Sequence, residues 1–343
     1  MPSRKVNLAI QAAVSAALVA GGLIYGTPPG CKDRKVLGEG FSPSRVKELV
    51  EAQVAFGPRV PGTSAHQKTK DWISAQIQEL GPIAEVQEFT ANYGFEVPGG
   101  QVDRRPMKAW NIQASLFPEK KIRVLLAAHW DTRFAADKDK KDYRSPGPGA
   151  LDGASGVAFL LELGRALLAM KTPPELGVDL LFLDAEDQGG SAMSGLTPWC
   201  LGSQAWAKRF RDLGMPVRYR YGILFDMVGA KDAQYPREVY SLTYGPATLA
   251  KIWAVSRELG YAKYFPNADA MAVTDDHVAI NQIAGIAMVD LIDLRPTQVS
   301  GETVSGWDFP PYHHTHGDVP DLLDLKTIQA LGETVMTVIL RDR

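Results

Sequence analysis

The stretch IRVLLAAHWD, residues 122–131, indicates the architecture of this chain most clearly. Its apolar run is nearly continuous, which is typical of an interior strand covered on both faces. A polar pair, His129 and Asp131, follows where the run ends. Open α/β sheets place ligands at the carboxyl ends of their strands. The stretch therefore predicts a buried strand over residues 122–129, with functional side chains at its end.

Further strands and helices are predicted on both sides of this stretch. The other predicted strands are residues 84–89, 109–116, 178–184, 221–225 and 285–291. Helical spacing of apolar residues predicts helices at residues 42–55, 67–80, 154–170, 203–213, 247–259 and 325–339. Because the two kinds of element alternate, we expect an α/β three-layer sandwich with a central mixed, mostly parallel sheet flanked by helices. The absence of a repeat or low-complexity linker in the sequence predicts one domain, 41–343.

Composition excludes some classes of function. The 343 residues carry a net charge of −2, and Lys and Arg are not concentrated among aromatic residues as a nucleic-acid groove requires. We therefore expect no nucleic-acid partner. The run DKDKKD at 137–142 alternates in charge, and this pattern predicts a solvated loop.

The first residues, 1–31, have the features of a targeting segment. Arg4 and Lys5 precede a charge-free, mostly apolar stretch at 8–25, as in a signal peptide or anchor. Gly30-Cys31 then resembles a lipoprotein processing site. Lipidation at Cys31, a cleaved signal and an uncleaved membrane tether all remain open. Each of them predicts export, to the periplasm or to a membrane facing it.

Only two cysteines, Cys31 and Cys200, are present, too few for a disulfide framework. Cys200 stands between Trp199 and Leu201, and an apolar-flanked lone cysteine is most often a packed core thiol. We assign it no chemistry.

Acidic and histidine residues cluster after the predicted strands and in loops. They are His129, Asp131, Asp152, Asp184, Glu186, Asp187, Asp226, Asp275, Asp276, His277, His313, His314 and His316. Catalytic zinc sites use three nitrogen, sulfur or carboxylate ligands and leave one position open. A carboxylate beside a ligand can serve as general base, and Glu186 beside Asp187 fits that role. Any one of these residues could be a turn, a cap or a surface group, but their joint occurrence at several strand ends indicates a zinc site.

From about Phe41 onward the chain resembles the M28 family of zinc aminopeptidases, and within it the glutaminyl-peptide cyclotransferases more closely. The motifs that carry the resemblance are His129-Trp130-Asp131, Asp152 in the small-residue loop 149–156, Glu186-Asp187, Asp226 and His314-Thr315. The resemblance implies a zinc aminopeptidase (phosphorylase/hydrolase-like) fold. It also implies Asp152, Asp187 and His314 as zinc ligands and Glu186 as the catalytic acid and base.

Two further segments are similar to the cyclases. Asp275-Asp276-His277 matches a cyclase loop, which implies that Asp275 and Asp226 are catalytic residues in a network with Glu186. The segment 199–203, WCLGS, is similar to one in bacterial cyclases. Trp199 and His313 are assigned to the substrate pocket, although His313 departs from the pattern, since cyclases usually carry Trp there.

The resemblance implies a cyclase that converts the N-terminal glutamine of peptides or proteins to pyroglutamate, releases ammonia and uses one zinc ion. His129 and Asp131 would then support the site. The alternative is a di-zinc aminopeptidase in which His129 and Asp226 hold a second ion, Asp152 bridges both ions and Glu186 activates hydroxide. A third possibility is a non-catalytic exported binding module, since fold does not fix function.

Overall fold

The computed structural model describes residues 40–97, 101–189, 198–214, 217–299 and 302–343. All of them belong to one compact unit. The predicted targeting segment, 1–31, lies outside the described residues. Among the residues that are described, no helix has both the length and the apolar character needed to cross a bilayer.

A six-stranded mixed sheet forms the centre of the fold. Its strands are β1 (Glu85–Val97), β2 (Gln101–Leu116), β3 (Ile122–His129), β4 (Gly177–Leu183), β5 (Arg218–Asp226) and β6 (Met288–Ile292). Their order across the sheet is β1-β2-β4-β3-β5-β6. The pairs β3–β4, β3–β5 and β5–β6 are parallel, whereas β1–β2 and β2–β4 are antiparallel. The predicted mixed, mostly parallel sheet is thus confirmed.

Helices cover both faces of this sheet. They are α1 (Pro43–Val54), α2 (Ser64–Glu79), α3 (Gly156–Leu168), α4 (Leu201–Leu213), α5 (Val239–Tyr244), α6 (Pro246–Glu258), α7 (Asp276–Ala279) and α8 (Leu325–Arg341). Successive residues of β3 point to opposite faces, as strand geometry requires. Val124 and Leu126 therefore pack into a core with α1, α3 and α8, whereas Leu125 and Ala127 pack into a second core with α4. Two cores on one sheet confirm the three-layer sandwich.

The elements that the sequence did not predict are short. They include a hairpin of β7 (Arg295–Val299) and β8 (Glu302–Asp308), together with α5 and α7. The two helices have 6 and 4 residues, which is too short for an apolar period of 3.6 residues to repeat. The predicted strand 285–291 begins later, at Met288, because Gly285 adopts the left-handed conformation (φ 69°) that ends the preceding helical segment.

A buried ion pair holds the amino-terminal ends of the central strands. Arg123 of β3 donates to both carboxylate oxygens of Asp179 in β4, at 2.9 and 2.7 Å. The rest of its guanidinium donates to backbone carbonyls, including those of Phe117 and Val178. The two side chains are only 4% and 1% exposed. The pair fixes the register of β3 against β4 and hence the relative positions of the residues at their far ends.

We expect Arg123→Met to lower the free energy of unfolding by about 3–5 kcal/mol, because it leaves the carboxylate of Asp179 buried without its cation. Urea unfolding measures this change. Arg211→Met is the matched control, since Arg211 pairs with Asp212 in solvent and an exposed pair contributes at most about 1 kcal/mol. Equal losses in the two variants would contradict the role given to Arg123.

Candidate active site

The carboxyl ends of β3, β4 and β5 meet at one edge of the sheet beside a cleft of about 370 Å³. Ten residues were predicted to have a definite role in the site, and most of them line the cleft: Asp152, Glu186, Asp187, Trp199, Asp226, Asp275, His313 and His314. The other two, His129 and Asp131, lie behind the cleft and are 2% and 0% exposed. The structure therefore brings together residues that are far apart in the chain.

Two of the predicted zinc ligands, Asp152 and Asp187, each lie near the third, His314. His314 Nε2 lies 3.1 Å from Asp187 Oδ1 and 3.7 Å from Asp152 Oδ2. Ligand atoms bound tetrahedrally to zinc at about 2 Å are roughly 3.3 Å apart. The other ring nitrogen, His314 Nδ1, bonds Asp137 Oδ1 at 3.0 Å, and such a carboxylate orients a metal-binding imidazole. The carboxylate and imidazole donors therefore fit zinc by type, although the three donors that all lie within 4.8 Å of one another at this point are Asp152, His313 and His314. The assignment of Asp152, Asp187 and His314 as ligands stays a prediction.

Glycines let the loop that carries Asp152 approach the strand ends closely. Gly149 and Gly153 have φ values of 62° and 99°, which only glycine adopts at little cost. A Cβ atom at Gly153 would lie 2.5 Å from the carbonyl oxygen of Asp131. The carboxylate of Asp318 then holds the loop by accepting the backbone N–H groups of Leu151 and Asp152, at 2.7 and 3.1 Å.

Of the six non-glycine residues in the left-handed region among those that the structure describes, four lie in or beside the site. Ala185, Cys200, Met227 and His314 have φ values of 58°, 55°, 48° and 56°. Such conformations cost about 1–3 kcal/mol each and persist only where the surrounding structure fixes them. The backbone is thus strained after β4 and β5, before α4 and at the candidate ligand His314.

Asp131 organises the turn after β4. Its carboxylate accepts the backbone N–H groups of Glu186 and Asp187, at 3.1 and 3.3 Å, and the side-chain amide of Gln188 at 2.8 Å. The carboxylate also lies 3.5 Å from His129 Nδ1. Asp131 therefore positions one candidate ligand and the candidate base together without lining the cleft itself.

We expect Asp131→Asn to weaken zinc binding about 10–100-fold, the usual cost of losing a group that orients a ligand. The new amide N–H group would face a donor where the carboxylate now accepts. Competition with a chelator of known affinity measures this effect. Asp212→Asn, on the exposed surface of α4, is the control, and unchanged zinc affinity in Asp131→Asn would contradict the proposed role.

Glu186 lies among acidic groups and beside a thiol. One ligating atom from each of Glu186, Cys200 and Asp275 lies within 4.8 Å of the others. Cys200 Sγ donates to Glu186 Oε1 at 3.2 Å. Removal from water, together with the negative charge of Asp275, raises the pKa of Glu186 well above its usual range. The predicted core thiol is indeed fully buried, but it also contacts the candidate base, which the sequence did not predict.

His129 links two of the carboxylates. Its Nε2 atom lies 3.2 Å from both Asp152 Oδ1 and Asp226 Oδ1. Burial raises the pKa of Asp226 to about 7, against the opposing effect of the His129 contact, and the charge of Asp275 adds to the rise. The same three side chains form a group that could hold a second metal ion. The geometry thus suits both one-ion and two-ion chemistry.

Several contacts near the cleft involve residues to which the sequence assigned no role in the site. Arg133 lies 3.3 Å from Asp187 Oδ1 and 2.6 Å from Asp137 Oδ2, and its guanidinium lies 4.7 Å from the ring centre of Trp199.

The run 137–142 was predicted as a solvated loop, yet each of its first three residues bonds one of the histidines 313, 314 and 316. No sequence signal marks them, because a charged loop residue has the same pattern whether it faces solvent or another loop.

Comparison with known proteins agrees with this geometry. The family model of Peptidase family M28 matches residues 111–339. A glutaminyl cyclase from Tannerella forsythia has a crystal structure that is 38% identical, with a TM-score of 0.77 over 88% of this chain and 99% of that one. A Zn-dependent exopeptidase from Parabacteroides distasonis is 37% identical, with a TM-score of 0.76 over 89% of this chain and 100% of that one.

Curated relatives extend the comparison to eukaryotes. The glutaminyl-peptide cyclotransferase of Bos taurus is 26% identical over 313 residues, which cover 82% of this chain and 78% of the bovine protein. The chain also matches a probable zinc metalloprotease of Leptosphaeria maculans, but the match spans only 36% of that protein.

The three-layer fold, with carboxylate and imidazole donors at its strand ends, defines the class to which zinc exopeptidases and glutaminyl cyclases belong. Within that class, the chain belongs to peptidase family M28.

Proposed function

We propose that this chain is a zinc-dependent glutaminyl-peptide cyclotransferase that converts the N-terminal glutamine of peptides or proteins to pyroglutamate and releases ammonia. The observation that carries the proposal is the convergence of Asp152 and Asp187 on His314 Nε2, with Glu186 next to Asp187 on the same cleft. The cyclases from Tannerella forsythia and Bos taurus support this activity.

The reaction needs one proton to move away from the substrate and then back to it. Glu186 takes this proton from the α-amino group, whose nitrogen forms a bond to the carbon of the side-chain amide. The carbon–nitrogen bond of that amide then breaks, and Glu186 returns the proton to the departing ammonia. Asp226 and Asp275 line the same cleft, and the negative charge of Asp275 favours the protonated form of Glu186 midway through the reaction.

Zinc held by Asp152, Asp187 and His314 would supply Lewis acidity toward the carbonyl oxygen of the side-chain amide. The reaction consumes no water, so a single ion suffices. In this account His129 is a positioning residue: its Nε2 atom holds Asp152 and Asp226 in place from behind the cleft.

A second function is favoured by one observation. His129, Asp152 and Asp226 could hold a second ion, as a di-zinc aminopeptidase requires, and the Parabacteroides distasonis protein is described as an exopeptidase. In that case Glu186 would act on water and not on the substrate amine.

Product analysis separates these functions. Incubation with glutaminyl-alanine is expected to release ammonia and leave a pyroglutamyl dipeptide, with no free amino acid, and chelation is expected to abolish the activity. Release of free leucine from leucyl-alanine would establish the aminopeptidase instead. If the zinc-loaded protein turned over neither peptide, the remaining possibility would be a non-catalytic binding module.

A further inference from the structure

The cleft carries a lysine at its mouth. Lys138 lines the same cleft as Glu186 and the candidate zinc ligands, but its side chain is exposed to solvent whereas Asp152 and Asp187 are buried. Lys138 therefore faces both the cleft and bulk water.

Three contacts hold Lys138 in place. Its backbone N–H group donates to the carbonyl oxygen of His314 at 3.2 Å. Its ammonium donates to His313 Nδ1 at 2.7 Å and lies 4.8 Å from the ring centre of Phe309. The rings of Phe309 and His313 are themselves stacked, with centroids 4.1 Å apart. The position of the positive charge is thus defined by the wall of the cleft.

The two cations of the cleft differ in their partners. Arg133 is paired with the carboxylates of Asp137 and Asp187. The ammonium of Lys138 instead bonds an imidazole nitrogen, which accepts a hydrogen bond but carries no negative charge when it does so. The hydrogen-bond partner of Lys138 consequently does not neutralise its positive charge, and the carboxylates of Asp137 and Asp308 act on that charge only through space.

The orientation of the peptide in the cleft follows from the position of its reacting group. A peptide that reacts at its N-terminus must enter the cleft with its amino group first, because the chain continues from the other end. The amino group lies near the deep carboxylates, so the residue that follows the glutamine lies toward the mouth. Lys138 is solvent-exposed in the lining of the cleft, and Phe309 lies beside it.

We infer that Lys138 determines specificity by recognising a carboxylate on the residue that follows the N-terminal glutamine. This inference rests on the proposed function. The carboxylate could be an acidic side chain at the second position or the free C-terminus of a dipeptide. Both present the same charge to the ammonium.

Ammonia release from matched peptides tests the inference. For the wild-type protein, kcat/KM is expected to be about threefold higher for glutaminyl-glutamate amide than for glutaminyl-glutamine amide, the effect of an ion pair that stays in contact with water. Comparison of glutaminyl-alanine with its amide tests the free C-terminus separately. The preference should decline as salt is added, because salt screens exposed charges.

Substitutions identify Lys138 as the source of the preference. In Lys138→Met the ratio of kcat/KM values is expected to fall to about one, and in Lys138→Glu it should invert. Lys140→Met is the matched control, since Lys140 is exposed on the same loop, and it should keep the wild-type ratio. A wild-type ratio of one in both comparisons, or a preference that survives in Lys138→Met, would overturn the inference while leaving the cyclase intact. If the wild-type protein released ammonia from no glutaminyl peptide, both proposals would fall together.

Discussion

Glu186→Gln is expected to lower kcat for ammonia release by roughly 10²–10⁴-fold, the usual contribution of a positioned acid and base. Glutamine has nearly the same shape as glutamate and can still accept the hydrogen bond from Cys200 Sγ. It cannot take a proton from the substrate amine and return it to ammonia. Steady-state assays on glutaminyl-alanine measure the loss.

Two controls separate this loss from damage to the site. Zinc content and the free energy of unfolding should stay near their wild-type values in Glu186→Gln, because Glu186 is not one of the three candidate ligands. Glu48→Gln, on the exposed side of α1, should retain full activity. Substantial ammonia release by zinc-loaded Glu186→Gln would contradict the proposed proton transfer.

Removal of the imidazole ligand is expected to have the second large effect. His314→Ala should weaken zinc binding by more than about 100-fold. Loss of a group that only orients a ligand already lowers metal affinity about 10–100-fold, and loss of the ligand itself should lower it further. Ammonia release should fall with the bound metal. Chelator competition and metal analysis after dialysis measure the affinity directly.

The same loop provides the matched control for His314→Ala. His316 is two residues further along and bonds Asp139 at 3.1 Å, where it is 36% exposed. His316→Ala should therefore keep both zinc and activity. If the two variants retained zinc equally, His314 would not be a ligand.

The sheet was predictable because its central strands are buried on both faces. A strand such as β3, with apolar residues throughout, leaves a pattern that differs from any solvent-facing element, and its predicted bounds agree with the structure. Short elements such as α7 and the hairpin of β7 and β8 contain too few residues for a helical or strand period of apolar residues to be recognised in the sequence. Their positions depend on contacts made elsewhere in the fold.

The location of the site could be predicted because parallel strands bring their carboxyl ends to one edge, whereas the resemblance to the M28 family implied which residues are the ligands. The supporting contacts could not be predicted, since they arise between loops. Nothing near Asp137 indicates that it bonds His314, and nothing near Asp318 indicates that it holds the loop of Asp152. Likewise, the sequence around Cys200 predicts burial but not contact with Glu186.

Zinc anomalous diffraction from crystals of the zinc-loaded protein tests the central claim most directly. The account predicts one peak per chain, at about 2 Å from donor atoms of Asp152, Asp187 and His314. A second peak between His129 and Asp226, or a single peak away from His314, would contradict it.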